Sequence, residues 1–559
     1  MSTEPGRPAP AEESKPTLTG AVPLVPLGRP QVAAAARLAA AGARHPIQLA
    51  GAGLRLAGEL VSAGAGVPKW QPQPGDRRFS DPAWSEHPVY RRLLQGYLGA
   101  NAVADDTVGR LGLDPKSEER ARFIVGQVVD ALAPTNNLLG NPVALRTAVT
   151  TKGASLAKGA KAFAGDVLTN GAMPRTVDSR PFRLGETIGT SPGAVVLRTE
   201  VMELIQYQPA TPTVGSVPIV FVPPEISRHY ILDLAPGRSL VEFLVNQGHQ
   251  VFTISWRNPT PEHRDWNLDT YVAASLEAIT TAALIAGSPD AHVVGVCAGG
   301  VTAAALAGHL AATGERRIRA LTFFVTVLDT AAETMASLFL SEWSAAMAVQ
   351  GSKRKGVLEG RQLTRMFAWM RPNDLVWNYF VSNYLLGQDP PAFDVLAWNA
   401  DMPNMTAGFH ADLANVFLEN PLPEPGKLTV LGTPIDLSKV EQESYLVAAL
   451  TDHITPWEAC YRTNNILGGS TRFVLSSSGH IQAIVNPPGN KKASYRAADD
   501  PGPDSTAFFA GSEKIAGTWW TEWSEWLHTR DGETRRAPKT LGDRTHPVLD
   551  PAPGRYAAS

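Results

Sequence analysis

The sequence predicts an α/β fold: a mostly parallel sheet with helices on both faces, a helical domain before it and a large insertion within it. Three observations carry that expectation. Runs rich in β-branched and aromatic residues alternate with helical patterns from about residue 191 onward. An aromatic-rich stretch of about 330–432 separates the sixth run from the seventh. Residues of about 76–190 carry helix caps and helical spacing but no strand pattern.

The chain has 559 residues, too many for one compact core, so more than one structural unit is expected. A composition 44% hydrophobic and 18% charged is that of an ordinary globular protein. A net charge of -3 gives no reason to expect nucleic acid as a partner. Two cysteines, Cys297 and Cys460, cannot build a disulfide framework and suit a reducing cytoplasm. The N-terminus lacks a basic and an apolar region in the order an export signal needs. No stretch reads as a membrane span, and no metal-ligand spacing or dinucleotide fingerprint is visible.

Residues 1–75 read as a Pro- and Ala-rich disordered tail followed by a weak amphipathic helix. Ile47, Leu49, Leu54, Leu56, Leu60 and Val61 give that helix its apolar side. Packing on the chain itself is the plain expectation, and contact with an outside hydrophobic surface the sharper one. Residues 76–190 read as a helical N-terminal domain. Ser80-Asp81-Pro82 and Ser85-Glu86-His87-Pro88 supply start signals, and Tyr90, Leu93, Leu94 and Tyr97 follow at helical spacing. Residues 191–559 read as the α/β domain. GAVVLRTEVMELIQYQP suggests two adjacent strands, then VPIVFV (217–222), QVFTIS (250–255), AHVVGV (291–296) and RALTFFVTV (319–327). SYLVAAL (444–450) and TRFVL (471–475) follow the insertion, which is too long for a loop and should fold as a cap.

Gly295-Val296-Cys297-Ala298-Gly299 has the form of a nucleophile elbow with Cys in place of Ser. Small residues two before and two after the nucleophile let the backbones approach in a sharp strand-to-helix turn, and the helix N-terminus favours a thiolate. A buried structural Cys in a tight turn is the bland reading, but the position after the fifth strand favours the nucleophile. A free thiol needs a base, and in an α/β-hydrolase sheet the acid and the His follow in chain order. SYLVAAL runs into Thr451-Asp452-His453 and TRFVL into Ser476-Ser477-Ser478-Gly479-His480, so the expected set is Cys297, Asp452 and His480. His453 competes for the base, and Asp329, after the sixth strand, competes for the acid. The oxyanion hole is expected from the backbone N–H of Ala298 and one near Glu225 and Ile226, with Ile226 preferred. Cys460 has no glycine frame and reads as structural. Trp519, Trp520, Trp523 and Trp526 recur at helical spacing and read as a packing stripe.

With these residues in place, the chain closely resembles the single-polypeptide polyhydroxyalkanoate synthases, from about Asp81 to the C-terminus. The resemblance rests on SDPAW, ELIQYQP, PPEISRHYILDL, ISWRNP, GVCAGG, RPNDLVWNY, TDHITPW, SSGHIQAIVNPPGNKK and PAPGRY. It implies polymerisation of (R)-3-hydroxyacyl-CoA thioesters with release of CoA, through an acyl thioester on Cys297. It implies Asp452 as the acid and His480 as the base, and matches Trp398 in FDVLAWN to a tryptophan near the site. It also implies no cofactor beyond the CoA of the substrate, a growing polyester chain and granule surface as partners, a homodimer, and a cytoplasmic place on granules. RPNDLVWNYFVSNYLLG and TDHITPWEACYR look like the medium-chain branch and PAPGRY like the short-chain branch, so acyl length stays open. Two other classes compete: a Cys-dependent thioesterase or depolymerase on the same scaffold, and a catalytically idle granule binder. The complete Cys-Asp-His set speaks against the last.

Overall fold

The computed structural model describes residues 46–331 and 342–559. The tail at residues 1–45, and with it the expectation of disorder there, lies outside the described residues.

The chain enters as α1 (Pro46–Gly64), whose Ala63 is buried while Ile47, Leu54 and Val61 are exposed. Leu60 and Ala63 face Gly96 of α2 (Pro88–Gly109). A side-chain bridge holds this corner, with Trp70 Nε1 donating to Glu59 at 2.8 Å. Proline at the first position of α2 lacks an N–H that would be orphaned there, and Pro115 opens α3 (Pro115–Ala131) in the same way. Phe79, Trp84, Tyr90 and Leu94 form a small core beneath α2. The last long helix of this region, α4 (Ala154–Asn170), buries Asp166, which accepts hydrogen bonds from Tyr384 Oη and Arg175 Nε at 2.8 Å each. That buried carboxylate ties the helical region to the insertion, since Tyr384 belongs to it.

Among the described residues the main sheet has eleven strands. They are β1 (Gly193–Arg198), β2 (Met202–Tyr207), β3 (Ile219–Val222), β4 (Val251–Trp256), β5 (Ala291–Val296), β6 (Ile318–Phe324), β7 (Ser444–Ala449), β8 (Thr471–Ser476), β9 (Ser494–Asp499), β10 (Ile515–Ala516) and β11 (Asp550–Pro551). Their spatial order is β10-β9-β8-β7-β6-β5-β3-β4-β2-β1-β11. The run from β4 to β8 is parallel, while β1, β2, β9, β10 and β11 pair antiparallel with their neighbours. All four residues of β3 and all six of β4 and β5 are buried, as strands covered on both faces require.

Two helices pack beside the centre of the sheet, α5 (Leu268–Ala286) and α6 (Ala298–Thr313). Asn267 and Thr270 cap α5 reciprocally, side chain to backbone in both directions. By length and composition α5 could cross a membrane, against the expectation that no stretch could; Tyr271, Val272, Ala278 and Ile279 are instead buried in the main core. An apolar helix inside a large α/β core passes the same test for a different reason. The insertion between β6 and β7 contains α7 (Gly360–Met370), two π-helical turns at Asn373–Trp377 and Val381–Leu385, α8 (Asp394–Ala400) and α9 (Ala407–Glu419). After β10 the chain forms α10 (Trp519–His528), with Trp519, Trp520 and Trp523 almost wholly buried against the sheet.

Candidate active site

Cys297 sits between β5 and α6 with φ 50° and ψ -117°, a left-handed backbone that side-chain-bearing residues seldom adopt. Strain of this kind costs about 1–3 kcal/mol and persists where the surroundings hold it. They do so here through two glycines. A Cβ on Gly299 would lie 2.3 Å from the Val222 carbonyl oxygen, and one on Gly300 would lie 2.1 Å from Thr326 Oγ1. The turn is therefore pressed between the end of β3, whose following loop carries Ile226, and Thr326 just after β6. Cys297 is half-buried, and Ala298 is the first residue of α6, where N–H groups have no intrahelical acceptor.

Asp452 follows β7 and His480 follows β8, and the two meet: His480 Nδ1 donates to Asp452 Oδ2 at 2.6 Å. Asp452 is further held by the N–H groups of Ile454 and Thr455 at 2.8 and 3.0 Å and by Thr455 Oγ1 at 2.8 Å. Burial opposes its charge, yet the imidazole and these donors prevail and hold the carboxyl below the usual range. Burial also opposes a charged His480; the Asp452 carboxylate, and the nearby Cys297 thiol after it, outweigh burial and push the imidazole up to about 10. With Nδ1 committed to Asp452, Nε2 is the nitrogen left for the thiol.

Cys297 and His480 open onto a cavity of about 700 Å³ that Ile226, Trp398, His453 and Phe367 also line. Phe367 of α7 and Trp398 of α8 both come from the insertion, so the insertion covers the cysteine. Trp398 donates its indole N–H to the Arg228 carbonyl at 2.8 Å, which couples α8 to the loop bearing Ile226.

The alternatives separate by position. His453 lines the cavity, and burial, followed by Arg371, depresses it to about 4, so it stays neutral. Asp329 accepts from Asn420 Nδ2 at 2.8 Å and from Arg462 Nη1 at 3.2 Å. Both its oxygens are thus engaged away from His480. Cys460 is buried, its thiol pushed up by burial, with Sγ 3.6 Å from the Thr455 carbonyl oxygen. Among the described residues, the one group of His and acid side chains close enough to hold a metal is His249, His528 and Asp531, and it lines no part of this cavity.

Residues 75–244 match the family model described as the N-terminus of poly-beta-hydroxybutyrate polymerase (PhaC), and residues 232–487 match the alpha/beta hydrolase fold. Poly(3-hydroxyalkanoate) polymerase 1 of Ectopseudomonas oleovorans is 45% identical, over 89% of this chain and 89% of its own. The chain belongs to the poly(3-hydroxyalkanoate) polymerase family. It is an acyltransferase family. Polymerase 2 of the same organism is 46% identical over 92% of each chain, and the polymerase subunit PhaC of Cupriavidus necator is 37% identical over 86% of this chain and 82% of its own.

Against this polymerase background, two supports of the site escaped the sequence. Trp519 and Trp520 read only as packing, but their indole N–H groups donate to the carbonyls of Ala483 and Ile484 at 2.9 and 3.1 Å. They thereby grip the short helix His480–Ile484 at the end opposite His480. A tryptophan stripe facing a strand-to-helix junction is the signal that could have revealed this. Glu225 is the second. It is buried, its Oε1 accepts from Thr302 Oγ1 of α6 at 2.6 Å, its Oε2 has no partner, and burial raises its carboxyl to about 7. A side chain pinned to α6 fixes the neighbouring Ile226 relative to the cysteine turn.

Proposed function

We propose that this protein polymerises (R)-3-hydroxyacyl-CoA thioesters into polyhydroxyalkanoate, with Cys297 as nucleophile, His480 as general base and Asp452 as its orienting acid. The observation that carries this reading is the strained Cys297 turn facing the His480–Asp452 pair in one covered cavity. The thiol proton is held on His480 Nε2, which the Asp452 carboxylate stabilises as an imidazolium, and Sγ attacks the acyl carbonyl. The bond from that carbon to the CoA sulfur breaks, and the CoA thiolate leaves with the proton from the imidazolium. One thioester has replaced another, a nearly isoenergetic exchange. The 3-hydroxyl of a further acyl unit then gives its proton to His480, its oxygen attacks the Cys297 thioester, and the thiolate is released as an ester forms.

The carbonyl oxygen carries the developing charge in each step, and the N–H groups of Ala298 and Ile226 are the donors we assign to it. Ala298 opens α6 and Ile226 lines the cavity beside Cys297, which supports both assignments. Water must be kept out, because the same thioester would otherwise be hydrolysed. The cover supplied by Phe367 and Trp398 favours polymerase over thioesterase chemistry for that reason. In this reading the chemistry needs no cofactor beyond the CoA of the substrate, and the protein works at the surface of polyester granules in the cytoplasm, which membership of the polymerase family supports.

The test is to incubate the purified protein with (R)-3-hydroxyacyl-CoA and follow CoA release together with product size. Polymer with CoA release is expected, and Cys297→Ala should abolish both. Free hydroxy acid without polymer would make the protein a thioesterase, and full activity in Cys297→Ala would remove Cys297 from the mechanism.

A further inference from the structure

Four titratable side chains meet at the end of the sheet opposite Cys297. His292 is the second residue of β5, and Cys297 follows the last residue of that strand. His249 precedes β4, while His528 and Asp531 close α10 and the turn after it. His249, His292 and Asp531 are almost wholly buried, and His528 is 38% exposed.

In His249 and His528 one ring nitrogen is anchored outward and the other faces Asp531. His528 Nε2 lies 3.0 Å from the Gln247 carbonyl oxygen, which can only accept, so this nitrogen carries a proton. Its Nδ1 lies 3.1 Å from Asp531 Oδ2. An uncharged His528 would therefore aim a lone pair at a carboxylate, so the contact takes either a second proton on His528 or a cation between the two groups. His249 Nε2 lies 2.9 Å from Ser524 Oγ, and its Nδ1 is buried without a hydrogen-bond partner, 3.8 Å from the same Asp531 Oδ2. The other carboxylate oxygen faces His292 Nε2 at 3.2 Å. In His249 and His528 the outer nitrogen is anchored and the inner one faces Asp531 Oδ2, the arrangement of histidines that ligate metals. Gly215 leaves room for the carboxylate, since a Cβ there would lie 2.3 Å from Asp531 Oδ2.

We propose that His249 Nδ1, His528 Nδ1 and Asp531 Oδ2 form a structural site for a divalent transition metal of the zinc class, which ties the end of α10 to the start of β4. These three atoms lie within 4.8 Å of one another. A tetrahedral zinc with bonds of roughly 2.0–2.2 Å holds its ligands roughly 3.3–3.6 Å apart, and the two measured separations to Asp531 Oδ2 bracket that span. The His249 and His528 rings stack at 4.0 Å and 17°, so His528 must tilt to bring both lone pairs onto one ion. Its partial exposure gives it room to do so and admits water as the fourth ligand. Two nitrogens and one carboxylate suit zinc, cobalt or nickel better than calcium or magnesium. The site holds α10 in place from its far end, whereas Trp519 at the near end reaches the His480 helix.

The test uses the full chain without a histidine tag, stripped of metal with a chelator and titrated with Co²⁺. Expected are one Co²⁺ per chain with the visible absorption of a tetrahedral site, its displacement by Zn²⁺, and a higher Tm with Zn²⁺ present. His528→Gln, checked for folding by circular dichroism, should bind about tenfold or more weakly. Absence of stoichiometric uptake by the wild-type chain, or a Co²⁺ spectrum and affinity unchanged in folded His528→Gln, overturns the proposal. Should His528→Gln fail to fold, the wild-type spectrum still decides: octahedral, oxygen-ligated Co²⁺ alone would refute a site built on two histidines.

Discussion

At the scale of single residues, the choice between Asp452 and Asp329 turns on what each carboxylate touches. Asp452 faces His480 at 2.6 Å, whereas Asp329 is spent on Asn420 and Arg462. Asp452→Asn should therefore lower turnover by about 10³–10⁴-fold, the scale known for loss of a carboxylate that fixes a histidine tautomer. Asp329→Asn should leave turnover near wild type and cost only stability. Comparable losses of kcat in the two folded variants would show that the acid was misassigned. The chain order Cys297, Asp452, His480 was readable because strands and the residues just after them are local features of sequence. Glu225 and Thr302 were not, because 77 residues separate them and neither stands in a pattern that announces the other.

At the scale of elements, the short helix His480–Ile484 is too brief to be stable alone, and α10 supplies two of its fixings. Trp519→Phe and Trp520→Phe each keep most of the packing and remove one N–H donor, worth about 1 kcal/mol. If that energy holds His480 in place, kcat should fall by up to about fivefold with KM unchanged. CoA release at saturating substrate measures it, and a shift in Tm alone would mean that the indoles only pack. The alternation of strands and helices was legible from β3 to β8 because fully buried strands are long apolar runs. The two-residue strands β10 and β11 and the π-helical turns of the insertion were not. Their backbone hydrogen bonds depend on partners distant in the chain, and so few residues carry no periodicity.

At the scale of the whole molecule, several histidines are buried and neutral. Burial depresses His229 to about 3, with Arg228 adding to it, and His410 to about 4; His453 behaves alike. Each binds a proton near pH 6.5 only when the chain unfolds. The unfolded state thus holds more protons between about pH 6.5 and pH 4, so stability rises with pH across that window and falls as the solution is acidified through it. Urea midpoints should decline from pH 7 to pH 4.5, and His410→Gln should flatten the decline. An unchanged slope in that variant would show that His410 is not among the groups responsible.

The sheet ends at both sides on strands of two residues, Ile515–Ala516 and Asp550–Pro551, and the second finishes on a residue without a backbone N–H. A longer bare edge would offer a template for pairing with another chain wherever many copies crowd together. Short terminal strands remove that route to aggregation. Crowding can then proceed without the sheets fusing into fibres, so the copies can stay individually folded however densely they gather.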